Sequence, residues 1–370
     1  MRTVGVEEEF LLVDARLDDS RPMAAEVLRL ATPLVGAADG EEPHGSLVAE
    51  LKEQQVEANT SPHDTITSLE SELVSWRTRA ASAAERAGAH LLASGTSPIP
   101  VEPLPVHTER YDRMARQFGI IAREHLTCAC HVHVAVDSDE EAVGVLDRIR
   151  AWLPPLLALS ANSPYWQGED TDYASYRSRV MGRWPGAGPV DVLGSPAAYD
   201  RLVQSLIDTG VLLDEGMVYF DARRSAHHPT VEIRVPDVCL DVRDTALVAA
   251  LCRALVETAA REWAEGVPPA EVPSTLIRFA GWRAARWGLE GDLLRPLTSR
   301  PQPAQDVIGA LVDHLRPVLR EVGDDALVDE RIDHLFTVGN GATRQRTVRR
   351  EGGGLGAVIA MLAKETVAAP

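Results

Sequence analysis

The chain is nearly without lysine: it has two, Lys52 and Lys364, against 35 arginines in 370 residues. P-loop nucleotide enzymes and protein kinases set a lysine on phosphate within recognisable motifs, and neither lysine lies in one. The run Gly352-Gly353-Gly354-Leu355-Gly356 is not followed by Lys-Ser/Thr and does not fit G-x-G-x-x-G after a strand. Genomic bias toward arginine explains the shortage most simply, and the exclusion stands regardless. If phosphates are handled, metal ions and arginines must hold their charge. Cysteine is scarce as well. Four in so long a chain make no disulfide framework, and a reducing cytoplasm is expected. No apolar run reaches the length of a membrane span, and Pro154 and Pro155 break the stretch 152–157. No basic region and apolar core precede Glu7, so no secretory signal is expected. The net charge of −18 argues against nucleic acid, whose phosphates would be repelled. A hydrophobic content of 45% is enough for one large domain or two modest ones.

What is present is alternation. Residues 3–14 read as a strand in which Val4, Val6, Phe10 and Leu12 share one face with Glu8, while Glu7 and Glu9 share the other. Adjacent like charges on one strand face repel, so something positive is expected over them. A divalent cation with oxygen ligands is the natural candidate. Residues 47–59 read as a second acidic strand, with Glu53, Gln55, Glu57 and Asn59 on one face and Glu50 joining them only through a bulge or bend. A solvated edge strand is the alternative. Residues 126–136 form a third strand. There Cys128 and Cys130 face the core side with Val132 and Val134, which argues against zinc, and His131 and His133 face the other way. A fourth strand, 230–235, sets Thr230, Glu232 and Arg234 opposite Val231, Ile233 and Val235. Glu232 and Arg234 fit a plain ion pair, or a metal ligand beside a phosphate clamp.

Around these, helices are expected over 22–36, 63–89 (Asp64 as N-cap), 139–159 and 244–265, strands over 91–96 and 217–223, and a long functional loop over 168–189. A proline-rich loop follows residue 96. Beyond 266 the chain reads as mostly helical, interrupted by a loop at 295–303. There is no internal repeat. Polar-faced strands with helices between them suit an α+β architecture, an antiparallel or mixed sheet with one face open to a site and helices behind.

The motifs GVEEEF (5–10), ELKEQQVEANTSP (50–62), HVHV (131–134), SANSPYWQGEDTDYASYR (160–177), TVEIRVPD (230–237), RWGLEG (286–291) and GATRQR (341–346) together resemble the carboxylate–amine ligases of the glutamate–cysteine ligase type 2 group, relatives of glutamine synthetase. They stand in family order across nearly the whole chain. The resemblance implies a curved antiparallel or mixed sheet around a funnel-shaped site, backed by helices. It implies one catalytic domain over 1–370, with a sheet-centred core (1–265) and a mostly helical remainder (266–370). It implies ATP and Mg²⁺, with Mn²⁺ as a substitute, and formation of an acyl phosphate that an amine attacks.

Carried over by position, Glu7, Glu9, Glu50, Glu53, Glu57, His131 and Glu232 resemble metal ligands, Glu57 foremost. His131 would also meet the transferred phosphate, and His133 the nucleotide. Arg234 and Arg223 would hold phosphate or a substrate carboxylate. Arg177 and Tyr173 lie in a loop that would cover the substrate. Asp172 stands where the usual D-T-G-Y pattern has glycine, Glu8 has no role in the pattern, and the segment with Arg344 and Arg346 has none assigned. Small molecules such as glutamate and cysteine are the implied partners, without nucleic acid or membrane, and the resemblance is compatible with a homo-oligomer. A metal-dependent phosphotransferase acting on a carboxylate or guanidino group, and a silent metal- or nucleotide-binding member of the fold, are the alternatives.

Overall fold

The structure is a computed structural model that describes residues 2–15, 22–31 and 45–368. In chain order the first elements are β1 (Val4–Asp14), α1 (Ala24–Ala31), β2 (Ser46–Ala49), β3 (Gln55–Asn59), α2 (Ile66–Arg86), β4 (Ala89–Leu92), α3 (Glu109–Phe118), α4 (Ile120–Glu124), β5 (Cys130–Ala135), α5 (Asp139–Ile149) and α6 (Leu153–Ser160). There follow β6 (Tyr165–Trp166), β7 (Glu169–Asp170), α7 (Arg177–Met181), α8 (Pro196–Asp208), β8 (Ala222–Arg224), β9 (Thr230–Ile233) and α9 (Val242–Ala264). The remainder is α10 (Ser274–Trp287), a hairpin of β10 (Asp292–Leu294) and β11 (Pro301–Pro303), then α11 (Ala304–Val322), α12 (Asp325–Val338), α13 (Gly341–Arg350) and α14 (Leu355–Thr366).

The main sheet is antiparallel in the order β2-β3-β1-β5-β9-β8, with β4 pairing the far end of β1. Its registers fix the faces. Glu7 lies opposite His131 and Asn59, Glu9 opposite Glu57, His133 opposite Glu232, and Glu232 opposite Arg223. Side chains at paired positions project to the same side, so the acidic and imidazole residues of four strands share one face. The opposite face carries Val4, Val6, Cys130, Val132, Val134, Val231 and Ile233, all buried in a core closed by α2, α5, α6 and α9. Helix α9 is buried through most of its turns, which is why it shows apolar residues on nearly every face. A second core, around Phe10, Leu12, Leu91 and Cys128, is closed by α1, α2 and α14.

The boundaries differ from the sequence reading at several points: the strand expected over 217–223 narrows to β8, the loop expected over 168–189 contains α7, and three further differences have a plain local cause. The helix expected over 139–159 breaks at residues 150–152, because Pro154 and Pro155 lack the N–H of a helix interior and instead sit in the first turn of α6. The cap of α2 is Thr65, whose hydroxyl accepts from Ser68 N at 3.2 Å, and not Asp64. The strand expected over 47–59 splits into β2 and β3, because the intervening backbone leaves the sheet to pair with the proline-rich segment. Val106 N donates to Leu51 O at 3.1 Å and Glu53 N to Leu104 O at 2.9 Å. Residues 32–36 of the first expected helix lie outside the described residues. Among the described residues no helix is long and apolar enough to cross a membrane.

Candidate active site

Two groups of ligand atoms form on the polar face of the sheet. Glu9, Glu50 and Glu57 bring one oxygen each within 4.8 Å of one another, and Glu7, His133 and Glu232 do the same with an oxygen, a nitrogen and an oxygen. The first group lines a cavity of about 220 Å³ together with His131. The second lines a neighbouring cavity of about 1150 Å³. Glu7, Arg110, Gly216 and Arg223 border both. The carboxylate oxygens of Glu9, Glu50 and Glu57, and those of Glu7 and Glu232 beside His133, are hard donors of the kind a magnesium-like cation takes, so the residues present fit the divalent metal that the sequence resemblance implies.

Local structure explains how each group is held. Glu9 Oε2 accepts from Ala129 N at 2.7 Å. His131 Nδ1 lies 3.1 Å from Glu7 Oε2. If Nδ1 carries the proton, as its carboxylate partner favours, Nε2 keeps its lone pair for a ligand. His133 is bracketed by Thr230 Oγ1 at 3.0 Å and Glu7 Oε1 at 3.2 Å. Glu232 is gripped by Arg223 at 2.6 and 3.1 Å and also pairs with Arg234.

The electrostatics divide these carboxyls. Burial pushes the Glu57 carboxyl up to about 9, helped by the negative charges of Glu7, Glu9 and Glu50. Glu50 rises to about 7, again through burial first and Glu9 second. Glu7 goes the other way: burial opposes its charge, but His131 and His133 outweigh burial and hold it well below the ordinary carboxylate range. Burial likewise opposes the charge of Glu232, yet Arg234 and Arg223 bring it down to about 2. Burial and the Arg234 guanidinium keep His131 below the usual imidazole range.

Most of the expected site residues therefore meet on this face: Glu7, Glu9, Glu50, Glu57, His131, His133, Arg223, Glu232 and Arg234. Glu50 joins through the bend that splits β2 from β3. That same bend takes Glu53 away, and Glu53 lines neither cavity. Arg177 borders the smaller cavity, but its guanidinium is anchored to Val235 O at 3.1 Å, Arg234 O at 3.0 Å and Asp237 at 3.5 Å. Asp237 also accepts from Asn162 N, Ser163 Oγ and Ser175 Oγ at 2.6–2.9 Å, so it ties the 160–177 segment beneath the site. Tyr173 borders neither cavity. Its hydroxyl accepts from Trp282 Nε1 at 3.1 Å, and Arg346 pins the surrounding loop through Asp170 at 2.6 and 2.9 Å and Tyr173 O at 3.0 Å. Arg344 pairs with Glu365 at 2.8 Å.

Sequence reasoning missed Arg110, Tyr111, His125, Trp184 and Tyr219, all of which border the smaller cavity. Burial drives His125 down to about 3, and Trp184 Nε1 donates to its Nδ1 at 3.2 Å, so it is a neutral wall residue. Arg110 and Tyr111 were findable. Thr108 is an N-cap and Tyr111, Met114 and Phe118 recur at helical spacing, but Pro98, Pro100, Pro103 and Pro105 just upstream give the surroundings the composition of a loop. Glu8 faces the opposite way and is fully buried, held by Arg77 at 2.5 and 2.9 Å and by Thr245 Oγ1 at 2.7 Å.

Comparison with known proteins identifies the family and the fold. Relatives 48% identical occur in Streptomyces avermitilis, over 99% of both chains, and in Streptomyces coelicolor, over 100% of both; they bear the provisional names glutamate–cysteine ligase 2-1 and glutamate–cysteine ligase 2. The fold is shared with the Francisella tularensis glutamate–cysteine ligase crystallised with AMP, at a TM-score of 0.68 and 14% identity, covering 99% of this chain and 88% of that one. It is shared also with the Pup ligase PafA, solved in complex with Pup, at 0.57 and 13%, covering 99% and 73%. Residues 3–360 match the profile of glutamate–cysteine ligase family 2 (GCS2), and the chain belongs to that family.

Proposed function

We propose that the protein is an ATP- and magnesium-dependent carboxylate–amine ligase that joins a carboxyl of one amino acid, glutamate first among candidates, to the amine of another, such as cysteine, through an acyl phosphate. The observation that carries this reading is the convergence of two three-residue ligand groups in adjoining cavities with Glu7 at their common wall. Moving a phosphoryl group onto a carboxylate brings anions together, and cations held on a rigid sheet offset that repulsion. Bound divalent metal, held by Glu9, Glu50 and Glu57 and by Glu7, His133 and Glu232, supplies part of that positive charge.

The chain's own side chains supply the rest. Arg223 and Arg234 present planar donors suited to phosphoryl or carboxylate oxygens. The larger cavity has room for a nucleotide beside His133, and the smaller one sets an acid substrate against the carboxylate-lined floor. His125, Trp184 and Tyr219 wall that floor and restrict water, which limits hydrolysis of an acyl phosphate.

The test is isotopic. Glutamate carrying heavy oxygen in its γ-carboxyl, turned over with ATP and an amine, should deliver one labelled oxygen to the released phosphate and yield a γ-glutamyl amide plus ADP. Unlabelled phosphate would rule out direct activation of that carboxyl. A stable phosphorylated product would identify a phosphotransferase instead.

A further inference from the structure

A third cavity, of about 310 Å³, shares Arg177, Met181, Tyr219 and Arg234 with the carboxylate-lined one. Three charged side chains that line it have no role so far: Arg179, Asp221 and Arg278. Within the protein they are poorly used. The Arg179 guanidinium donates only through Nε, to the neighbouring Ser178 Oγ at 3.2 Å. Among the described residues, Arg278 makes no hydrogen bond or ion pair, the Asp221 carboxylate accepts no hydrogen bond, and none of the three is within ion-pair distance of another.

The backbone beneath them is fixed nonetheless. Asp221 N donates to Gly188 O at 3.1 Å, and Asp221 O accepts from Arg234 N at 2.9 Å. Gly188 lies at φ +117°, and a side chain there would come within 3.0 Å of Arg278 Nη1. The missing Cβ therefore leaves the guanidinium its place over the backbone. Burial works against both charges, raising the Asp221 carboxyl to about 6 and lowering Arg179. A structural cluster would normally pair such groups with each other. Two guanidinium forks and a carboxylate left open toward one cavity are complementary to a zwitterion, which brings an anion and a cation in one small group.

We infer that this cavity holds the α-amino carboxylate head group of an amino-acid substrate, with the carboxylate on Arg179 and Arg278 and the ammonium on Asp221. The inference rests on the ligase reading for why an amino acid is there, and Arg234 and Arg177, which line both cavities, put this one beside the acidic floor. Both substrates of such a ligase can carry this head group, and the experiment separates them.

Direct binding is measured by calorimetry with magnesium and a non-hydrolysable ATP analogue present. Glutamate is compared with γ-aminobutyrate, which lacks the α-carboxylate, and with glutarate, which lacks the amine; cysteine is compared with cysteamine. The wild type should prefer one complete amino acid over its truncated analogues. Arg278→Gln, at an exposed position, should weaken binding of that amino acid about ten- to a hundredfold. It should also erase the preference over the analogue without carboxylate while leaving the analogue's own affinity unchanged. Arg179→Gln provides the same test from a second side chain. Asp221→Asn should erase the preference over the analogue without the amine, glutarate. A change confined to the glutamate pair assigns the head group to the acid, and one confined to the cysteine pair assigns it to the amine. Absence of any preference in the wild type, or preferences that survive all three substitutions, overturns the inference. Intact preferences without ATP-dependent amide formation would instead overturn the ligase reading alone.

Discussion

Glu9 and Glu57 stand directly opposite each other on the antiparallel strands β1 and β3, where two like charges destabilise a sheet. Among the described residues neither carboxylate forms an ion pair with a basic side chain, and Glu50 adds a third carboxyl within 4.8 Å. A proton or a divalent cation must offset the repulsion, and the two compete for the same oxygens.

Replacing one member of that triad exposes the competition. Glu57→Gln should raise the melting temperature of the metal-free protein at neutral pH, because an amide needs no proton taken up on burial as the Glu57 carboxyl does, and should abolish most of the further rise that magnesium gives the wild type. A cation at a hundredfold excess over its dissociation constant stabilises by about 2.7 kcal/mol, well within reach of a thermal scan. A variant with the wild-type magnesium response would show that the metal binds elsewhere.

The pH profile of the metal-free protein should fall on the alkaline side. Glu50 and Glu57 titrate at about 7 and about 9 in the folded chain, against 4.5 for the ordinary carboxyl. Between those limits the folded state binds protons that the unfolded state has released, so stability declines as pH rises from about 4.5 through about 7 toward about 9. Glu232, lowered to about 2, acts oppositely: its contribution is present above 4.5 and is lost as pH falls through about 2. Magnesium should flatten the alkaline decline. Urea unfolding at several pH values, with and without the metal, checks both arms, and a metal-free stability that keeps rising from neutral to alkaline pH refutes the assignment.

Arg77→Met should cost about 3–5 kcal/mol, because it strands the fully buried Glu8 without its partner. The paired change Arg77→Met with Glu8→Leu should recover much of the loss, though not all, since Arg77 also donates to the carbonyls of Leu240 and Cys239 at 2.9 and 2.8 Å. Denaturant titration of the single and double variants measures the difference. Additive losses would mean that the charge pair is not what makes the single change costly.

Asp172 occupies the left-handed region at φ +61°, which accounts for the glycine expected there from the family pattern. Asp172→Gly should stabilise the protein by about 1 kcal/mol by relieving that conformation. An unchanged or lowered melting temperature would show that the surrounding loop already compensates.

Arg234→Lys should lower turnover by at least about tenfold while leaving the melting temperature near that of the wild type. An ammonium keeps the charge beside Glu232 but cannot reproduce a planar fork on phosphoryl oxygens. Wild-type kinetics in this variant would assign Arg234 a structural role alone.

The alternating strands were legible in the sequence because the side-chain period of a strand is two, and burying one face fixes the register. That period alone separated Glu7 and Glu9 from Glu8, His131 and His133 from Cys128 and Cys130, and Glu232 and Arg234 from Val231 and Ile233. The antiparallel pairing then placed the polar members on one face. What alternation does not carry is which strand lies beside which, or where a backbone leaves the sheet. Those depend on contacts between residues far apart in sequence. Residues 51–53 bond to 104–106, and so Glu50 enters the acidic group while Glu53 does not. Helix α3 brings Arg110 and Tyr111 to the cavity, and α7 and α10 bring Arg179 and Arg278 to face Asp221. The sequence determined the chemistry each strand face offers, through a local and periodic property. Only the tertiary structure decided which of those groups share a cavity, because that choice is made by long-range packing and backbone hydrogen bonds.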